Sequence, residues 1–466
     1  MAMGRKRGAG QDDLFYASEA ARSPGHPFYE RLNRVLADGG FDAHCEQECA
    51  KFYHGKLGRP SLAPGVYFRL LLIGFFEGIG SEREIAWRVA DSLSLREFIG
   101  YKRSESTPDH VTVSRTRRLL DEAAHQAVFD WVLTEVARRG LLKGKTIGID
   151  ATTLEANAAM RSIVRRDTSE TYVAYLKKLA EAAGIDPEDG EAVRRMDRKR
   201  KKRTPNKDWV NPHDPDAEVT KMKDGATHLA YKAEQAVDLD TGAIVAITTQ
   251  GGATGDTDSV SETLCAAGVS VAAQIATATV GGKYVVNEAG VEELVTDKGY
   301  HSGACLVAMA EMNVRSYVSE PKRSRRKWKH KSKDKSNAKR GEQAAVYANR
   351  RRVTGPRGKR LLRRRGEFLE RPFAHQYETG GLRRVHVKGR DEVAKRVLLQ
   401  AAACNIALIL RTMTGAGTPK GAADLHLKLL FAFLRLWAAL NALPDAQLDP
   451  TTVNLSCAST GHSLSQ

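Results

Sequence analysis

Cysteine is scarce, six residues in 466. So few in so long a chain suit a reducing compartment and no disulfide framework. Cys45 and Cys49, flanked by His44 and His54, form the one grouping that looks like a zinc cluster. Their spacing matches no usual pattern and no second pair follows, so one face of a helix is the better reading. Long uncharged runs are also missing. The most apolar late stretch, 425–443, contains Lys428 and Arg435 and reads as a packed helix, not a membrane span. The opening MAMGRKRGAGQDD has no apolar core, so no signal peptide is expected. Acid is the charge in deficit: 56 Asp plus Glu face 73 Lys plus Arg, a net charge of +17. That balance favours a polyanionic partner, nucleic acid first. No amphipathic basic helix argues for a membrane surface.

What is present divides into segments. Residues 1–26 are expected to be a flexible start, and 27–139 a helical N-terminal domain suited to binding DNA. Ser81 with Glu84, and Ser94 with Glu97, read as capping boxes, and Thr107-Pro108 as a further helix start. From Lys145 the pattern changes to a mixed α/β domain, 140–413. The strands expected there are Thr146 to Asp150, Tyr231 to Asp240, Ala243 to Gln250, Val291 to Thr296 and Val314 to Ser319. Helical patterns run over 259–277 and 302–312. Two strongly charged stretches, 157–228 and 321–365, read as insertions that stay poorly ordered without a partner. Residues 414–466 read as a C-terminal helix and a loose tail.

Two of the short apolar runs end in aspartate, Gly148-Ile-Asp150 and Val295-Thr-Asp297. Carboxylates at the ends of neighbouring strands can hold hard divalent cations through oxygen. A third acid is expected from a helix beside the strands, and Glu370 is placed for that, with Glu367 as its competitor. Asp256 and Asp258 read as helix-capping residues, and Glu155 as a residue near the cleft. Trp209 and Trp328 lie in or beside the basic stretches. Each reads either as a platform for an unpaired base or as a partly buried anchor.

These residues resemble the transposases of bacterial insertion sequences that carry an Asp-Asp-Glu triad. The resemblance covers nearly the whole chain. It rests on Gly58-Arg-Pro60, Ser81 to Ala86, Phe98 to Tyr101 and Pro108 to Ser114 in the helical part. Further on it rests on Gly148 to Asn157, Lys223-Asp224-Gly225 with His228 to Lys232, Thr296 to Tyr300, and Leu369-Glu370-Arg-Pro-Phe373. Tyr347 and Arg350 keep the family's spacing. Tyr377 stands where a lysine is usual, with Arg383, Arg384 and Lys388 as alternative cations.

The resemblance implies a ribonuclease-H-like α/β fold: a mixed sheet flanked by helices, with basic insertions, preceded by the all-helical domain. It implies catalysis by Asp150, Asp297 and Glu370 with Mg2+ or Mn2+, two ions in all. Metal-activated hydrolysis at the transposon end would be followed by attack of the freed 3′-hydroxyl on target DNA. The implied partners are double-stranded DNA, as terminal inverted repeats and as target, and a second copy of the chain at synapsis, with no membrane. The implied location is the bacterial cytoplasm, at the nucleoid. Arg323, Arg325, Arg326, Lys327, Trp328, Lys329, Arg350, Arg351 and Arg352 are the expected DNA contacts. Two other readings stay open: a non-catalytic DNA-binding descendant, and a structure-specific nuclease without strand transfer.

Overall fold

The computed structural model describes residues 3, 25–54, 61–199, 204–222, 225–281, 286–322, 328 and 333–441. Seven helices come first: α1 (Pro27–Asp38), α2 (Phe41–Cys49), α3 (Pro64–Glu77), α4 (Glu82–Ala90), α5 (Leu93–Phe98), α6 (His110–Leu119) and α7 (Glu122–Arg138). Helix α3 starts on Pro64 and is buried from Pro64 to Phe76. A helix apolar on all sides belongs in a core, and the other helices wrap it. Its one cation, Arg69, is fully buried. Arg69 donates to both oxygens of Asp42 (3.0 and 2.9 Å) and to Asn33 Oδ1 and the Phe98 carbonyl. Cys45 and Cys49 are free thiols in this core, and burial raises both pKa values. They are core packing, as the helix-face reading expected.

Of the three expected helix starts, one holds. Ser81 accepts from Glu84 N. The start expected at Ser94 lies two residues earlier, where Ser92 accepts from Leu95 N. The start expected at Thr107-Pro108 lies at Asp109, whose carboxylate accepts from Thr112 N at 2.8 Å. Serine and aspartate are both strong caps, so neighbouring candidates are decided by which one the chain path delivers.

His125 sits at the heart of the helical region. Its Nδ1 lies 2.8 Å from the Asp121 carbonyl and must carry the proton, so Nε2 accepts from the Tyr67 hydroxyl (3.1 Å). Burial lowers its pKa from 6.5 to about 4. The neutral form is the one that folds, so this contribution is complete above about pH 6.5. It is lost as pH falls from there toward 4, on the order of 3 kcal/mol in all. Unfolding free energy measured across that range should show the slope, and His125→Asn should flatten it.

The α/β part begins with β1 (Thr146–Glu155). An excursion follows: β2 (Val164–Arg165), α8 (Tyr172–Ala182), α9 (Gly190–Lys199) and β3 (Trp209–Val210). Then come β4 (Glu218–Lys221), β5 (Thr227–Asp238), β6 (Ile244–Gly251), α10 (Asp256–Gly281), β7 (Glu293–Thr296), α11 (Gly303–Glu311) and β8 (Arg315–Val318). Four helices close the described chain: α12 (Lys333–Thr354), α13 (Pro356–Glu378), α14 (Arg390–Thr414) and α15 (Pro419–Asn441). The main sheet runs β5-β1-β7-β8, with β4 and β6 both pairing β5. Strands β4, β5 and β6 make the antiparallel part, and β7 and β8 run parallel to β1.

In both charged stretches most of the described residues form helices and strands. In the first, β2 pairs β3, and Trp209 (3% exposed) packs edge-on against Tyr172 and Tyr175. In the second, residues 333–365 are helical. Val346 and Leu361 are buried, and the Asn349 amide bonds both the N–H and the carbonyl of Val318 on β8. Sparse apolar residues at helical spacing were enough to seat a largely basic segment. Asn405 on α14 bonds Ile244 on β6 in the same two-way manner.

The chain divides into two compact units, 1–419 and 420–466. Within the second, α15 exposes Leu429, Phe431, Phe433 and Trp437, so the packed helix expected at 425–443 is not packed within its own unit. Two helical stretches, Asp256–Thr277 and Arg390–Leu425, are long and apolar enough to cross a membrane; the second is mostly buried inside the protein.

Candidate active site

Asp150 was expected at a strand end and lies in mid-strand instead. Strand β1 runs on to Glu155 because β5 pairs it along its whole length, from Ile147↔Asp238 to Glu155↔Ala230. The backbone at Asp150 is thereby held opposite Gln235 of β5, while the β7 ladder ends at Gly148. Asp297 directly follows β7, as expected, and its Oδ1 accepts from Gly299 N at 2.8 Å. Strands β1 and β7 pair in parallel with Gly148 opposite Val295. The β1–β7 ladder ends at that pair. Asp150 lies two residues further along β1, and Asp297 lies just past the end of β7, so the two aspartates follow neighbouring parallel strands beyond their last paired residues.

Helix α13 lies over the face of β1 that carries Asp150. A methyl group at Gly148 would come 2.7 Å from Leu239 Cδ2 and 3.1 Å from Leu369 Cδ1, so glycine permits this close seating. Arg357 pins the start of the helix to Glu293 of β7 (3.0 Å), and Gln376 bonds Gln235 of β5 (3.2 Å). Tyr377, which replaces the family's lysine, bonds Thr152 and the Thr153 carbonyl, and Arg383 stacks on its ring. Arg384 lies 3.9 Å from Glu155, which also has His228 at 3.8 Å. Arg365 reaches Asp150 Oδ2 at 3.1 Å.

Glu370 is exposed on α13, one residue after the buried Leu369. Glu367 is exposed too and pairs with Arg371 at 2.8 Å. Among the described residues no three of His, Cys, Asp and Glu are gathered closely enough to hold a metal ion. Asp150 and Asp297 thus follow neighbouring strands, and Glu370 lies on the helix that packs over β1.

Sequence reasoning missed the support behind Asp297. On the opposite face of the sheet, Glu234 of β5 is fully buried. It accepts from Ser259 (2.7 Å) and Thr263 (2.5 Å) on α10, and from the Tyr300 hydroxyl (2.9 Å). Lys232, two residues earlier and 3% exposed, lies 3.5 Å from Glu234 and 2.8 Å from Asp256. Asp256 was expected to cap a helix; it stands in the first turn of α10 and pairs with this lysine. A methyl group at Gly299 would lie 2.5 Å from Asp256 Oδ2 and 3.1 Å from Asp297 Oδ1, so the two carboxylates flank the same glycine. Burial first, then the negative charges of Glu234, Asp256 and Asp150, hold the Tyr300 pKa far above its usual value. The signal in the sequence was Lys232 and Glu234 alternating in a strand that is buried over most of its length, where an unpaired charge is not tolerated.

Of the expected DNA contacts, Arg323, Arg325, Arg326, Lys327 and Lys329 lie outside the described residues, as does Asp224. Trp328 is partly buried and meets the Tyr347 ring edge-on, with centroids 6.2 Å apart, which favours the anchor reading. Arg350 pairs with Glu320 at 2.7 Å, and Arg352 donates to the Ser316 carbonyl and hydroxyl, each at 2.8 Å. Arg351 is exposed.

Residues 17–119 match the family described as Transposase domain (DUF772). This segment is thus similar to a transposase domain. No curated protein matches the chain. Within the described residues the transposase domain takes in α1 to α6, and the Ser81 to Ala86 and Pro108 to Ser114 segments fall inside it. A transposase domain implies DNA as the partner, which agrees with the net charge of +17. It ends before β1, so Asp150, Asp297 and Glu370 all lie beyond it.

Proposed function

We propose that the chain is a DNA transposase that cleaves phosphodiesters at transposon ends and joins the freed ends to target DNA. The observation that carries this reading is that Asp150 on β1 and Asp297 just past β7 follow two strands that pair in parallel, in a chain that also holds a segment similar to a transposase domain. The mixed sheet with its antiparallel start supports a ribonuclease-H-like core. The helical segment up to 139 would bind the ends, residues 140–413 would carry the chemistry, and residues 414–466 would follow as an appendage.

The donor chemistry fits a hard divalent ion. Magnesium is commonly bound through one or two protein carboxylates, with waters and substrate phosphate oxygens filling its other positions. Asp150 and Asp297 would hold it, with Glu370 as the third acid. When bound, such an ion supplies Lewis-acid stabilisation of the phosphoryl oxygens. The chain's own share is positioning. The β1 ladder fixes Asp150, the Glu234 network fixes the turn after Asp297, and basic residues of α12 and α13 offset phosphate charge.

Arg365 occupies Asp150 through its guanidinium, so a cation entering there must compete with it. Arg365→Met is therefore expected to tighten manganese binding, by about tenfold. Calorimetric titration reads this directly, and unchanged affinity would separate Arg365 from the site. The reading as a whole is tested by incubating the protein with magnesium and DNA bearing the element's ends. Joined products support transposition, cleavage without joining supports a nuclease, and binding without cleavage supports a non-catalytic descendant. Glu370→Ala beside Glu367→Ala in the same assay identifies the third acid.

A further inference from the structure

A second cationic site lies away from the acidic one. The loop between α13 and α14, and the start of α14, pack against α3, α4 and α6, leaving a cavity of about 250 Å³. Arg117, Lys395 and Arg396 line it from within, Arg83 and Arg384 stand among its walls, and His386 closes one side against Gly80.

The ion pairing inside is unbalanced. Arg117 bonds two carboxylates, Glu82 at 2.7 Å and Glu392. Lys395, 6% exposed, takes the other oxygen of Glu392 at 2.6 Å. Both acids are thereby used. Arg396 donates to the Ile79 carbonyl at 3.2 Å, and among the described residues no carboxylate lies within ion-pairing distance of it. Arg83, Arg117, Arg384, Lys395 and Arg396 line the cavity with Glu82, while Glu392 pairs with Arg117 and Lys395 and Glu155 stands 3.9 Å from Arg384. Cations therefore outnumber acids there. Burial, then Arg396 and Arg384, lower the pKa of His386, and Glu84 acts the other way. The partly buried Arg396 is balanced only in part by the charge of Glu82, and a doubly charged oxyanion completes that balance with the fork geometry that arginine matches best. A water molecule takes about 30 Å³ of liquid volume, so the cavity has room for a phosphate group.

We propose that this cavity is a phosphate-binding site, taking either a free phosphate or one phosphate of a nucleic-acid backbone. The site does not depend on the acidic residues, and it couples the transposase domain to the loop after α13 whenever it is filled.

The test uses the full chain and two probes, inorganic phosphate and a short duplex, against Arg396→Met. If inorganic phosphate raises the unfolding temperature over matched chloride and the variant loses at least tenfold in phosphate affinity, the site takes free phosphate. If phosphate alone has no effect but the variant binds the duplex at least fivefold more weakly, the site takes a backbone phosphate. Equal affinity of both proteins for both probes overturns the proposal. Should Arg396→Met fail to fold, Arg384→Ala takes its place; unaltered affinity for both probes in that folded variant is equally fatal.

Discussion

Replacing Asp150 or Asp297 by asparagine is expected to lower magnesium-dependent cleavage of end-bearing DNA by about a thousandfold or more, with DNA binding retained. The size follows from what a bound divalent ion contributes to a phosphoryl transition state, several kcal/mol, at one factor of ten per 1.36 kcal/mol. Retained binding follows from the positions. Asp150 sits in mid-strand paired to β5, and asparagine is nearly isosteric, so the fold and the basic surface are kept. Gel-shift affinity and product formation, measured on one preparation, separate the two effects. Cleavage at the wild-type rate in either variant would remove both residues from the chemistry.

The second large effect concerns stability. Glu234→Leu removes an acceptor shared by three hydroxyl donors and one of the two acids beside the buried Lys232, which keeps Asp256 and Ser259, each at 2.8 Å. Breaking a buried pair from one side typically costs about 3–5 kcal/mol, because the remaining charge stays desolvated. Denaturant unfolding should show a loss of that order. Converting both residues, Lys232→Met with Glu234→Leu, is expected to recover much of it, since no orphaned charge remains. Additive losses in the double variant would mean that the two side chains do not act together. Tyr300 joins this network three residues after Asp297, so cleavage in Glu234→Leu should stay impaired at temperatures where the protein is folded.

The strands were legible because their apolar residues alternate or cluster between turn residues. Tyr231 to Asp240 and Ala243 to Gln250 fall within a residue or a few of β5 and β6, and Val314 to Ser319 brackets β8. Asp150 and Asp297 were legible as the ends of two apolar runs, which belong to adjoining strands. What stayed hidden depended on register. Nothing local tells that β5 continues alongside β1 past Asp150, or that Lys232 and Glu234 face Ser259 and Thr263. Helices α12 and α13 were obscured by composition. Their arginines dominate the pattern, while seating rests on a few residues such as Val346, Asn349, Leu361 and Leu369. Glu370 shows the limit of motif reasoning: it lies on the helix that covers Asp150, yet exposed to solvent.

The asparagines at the sheet's outer strands have a consequence for assembly. Asn349 and Asn405 each satisfy a backbone donor and acceptor that a neighbouring chain would otherwise use for strand addition. Two copies are thus barred from zipping their sheets into one another at these points. The same two contacts leave β1, the strand that carries Asp150, in the interior of the sheet, where no added strand reaches it.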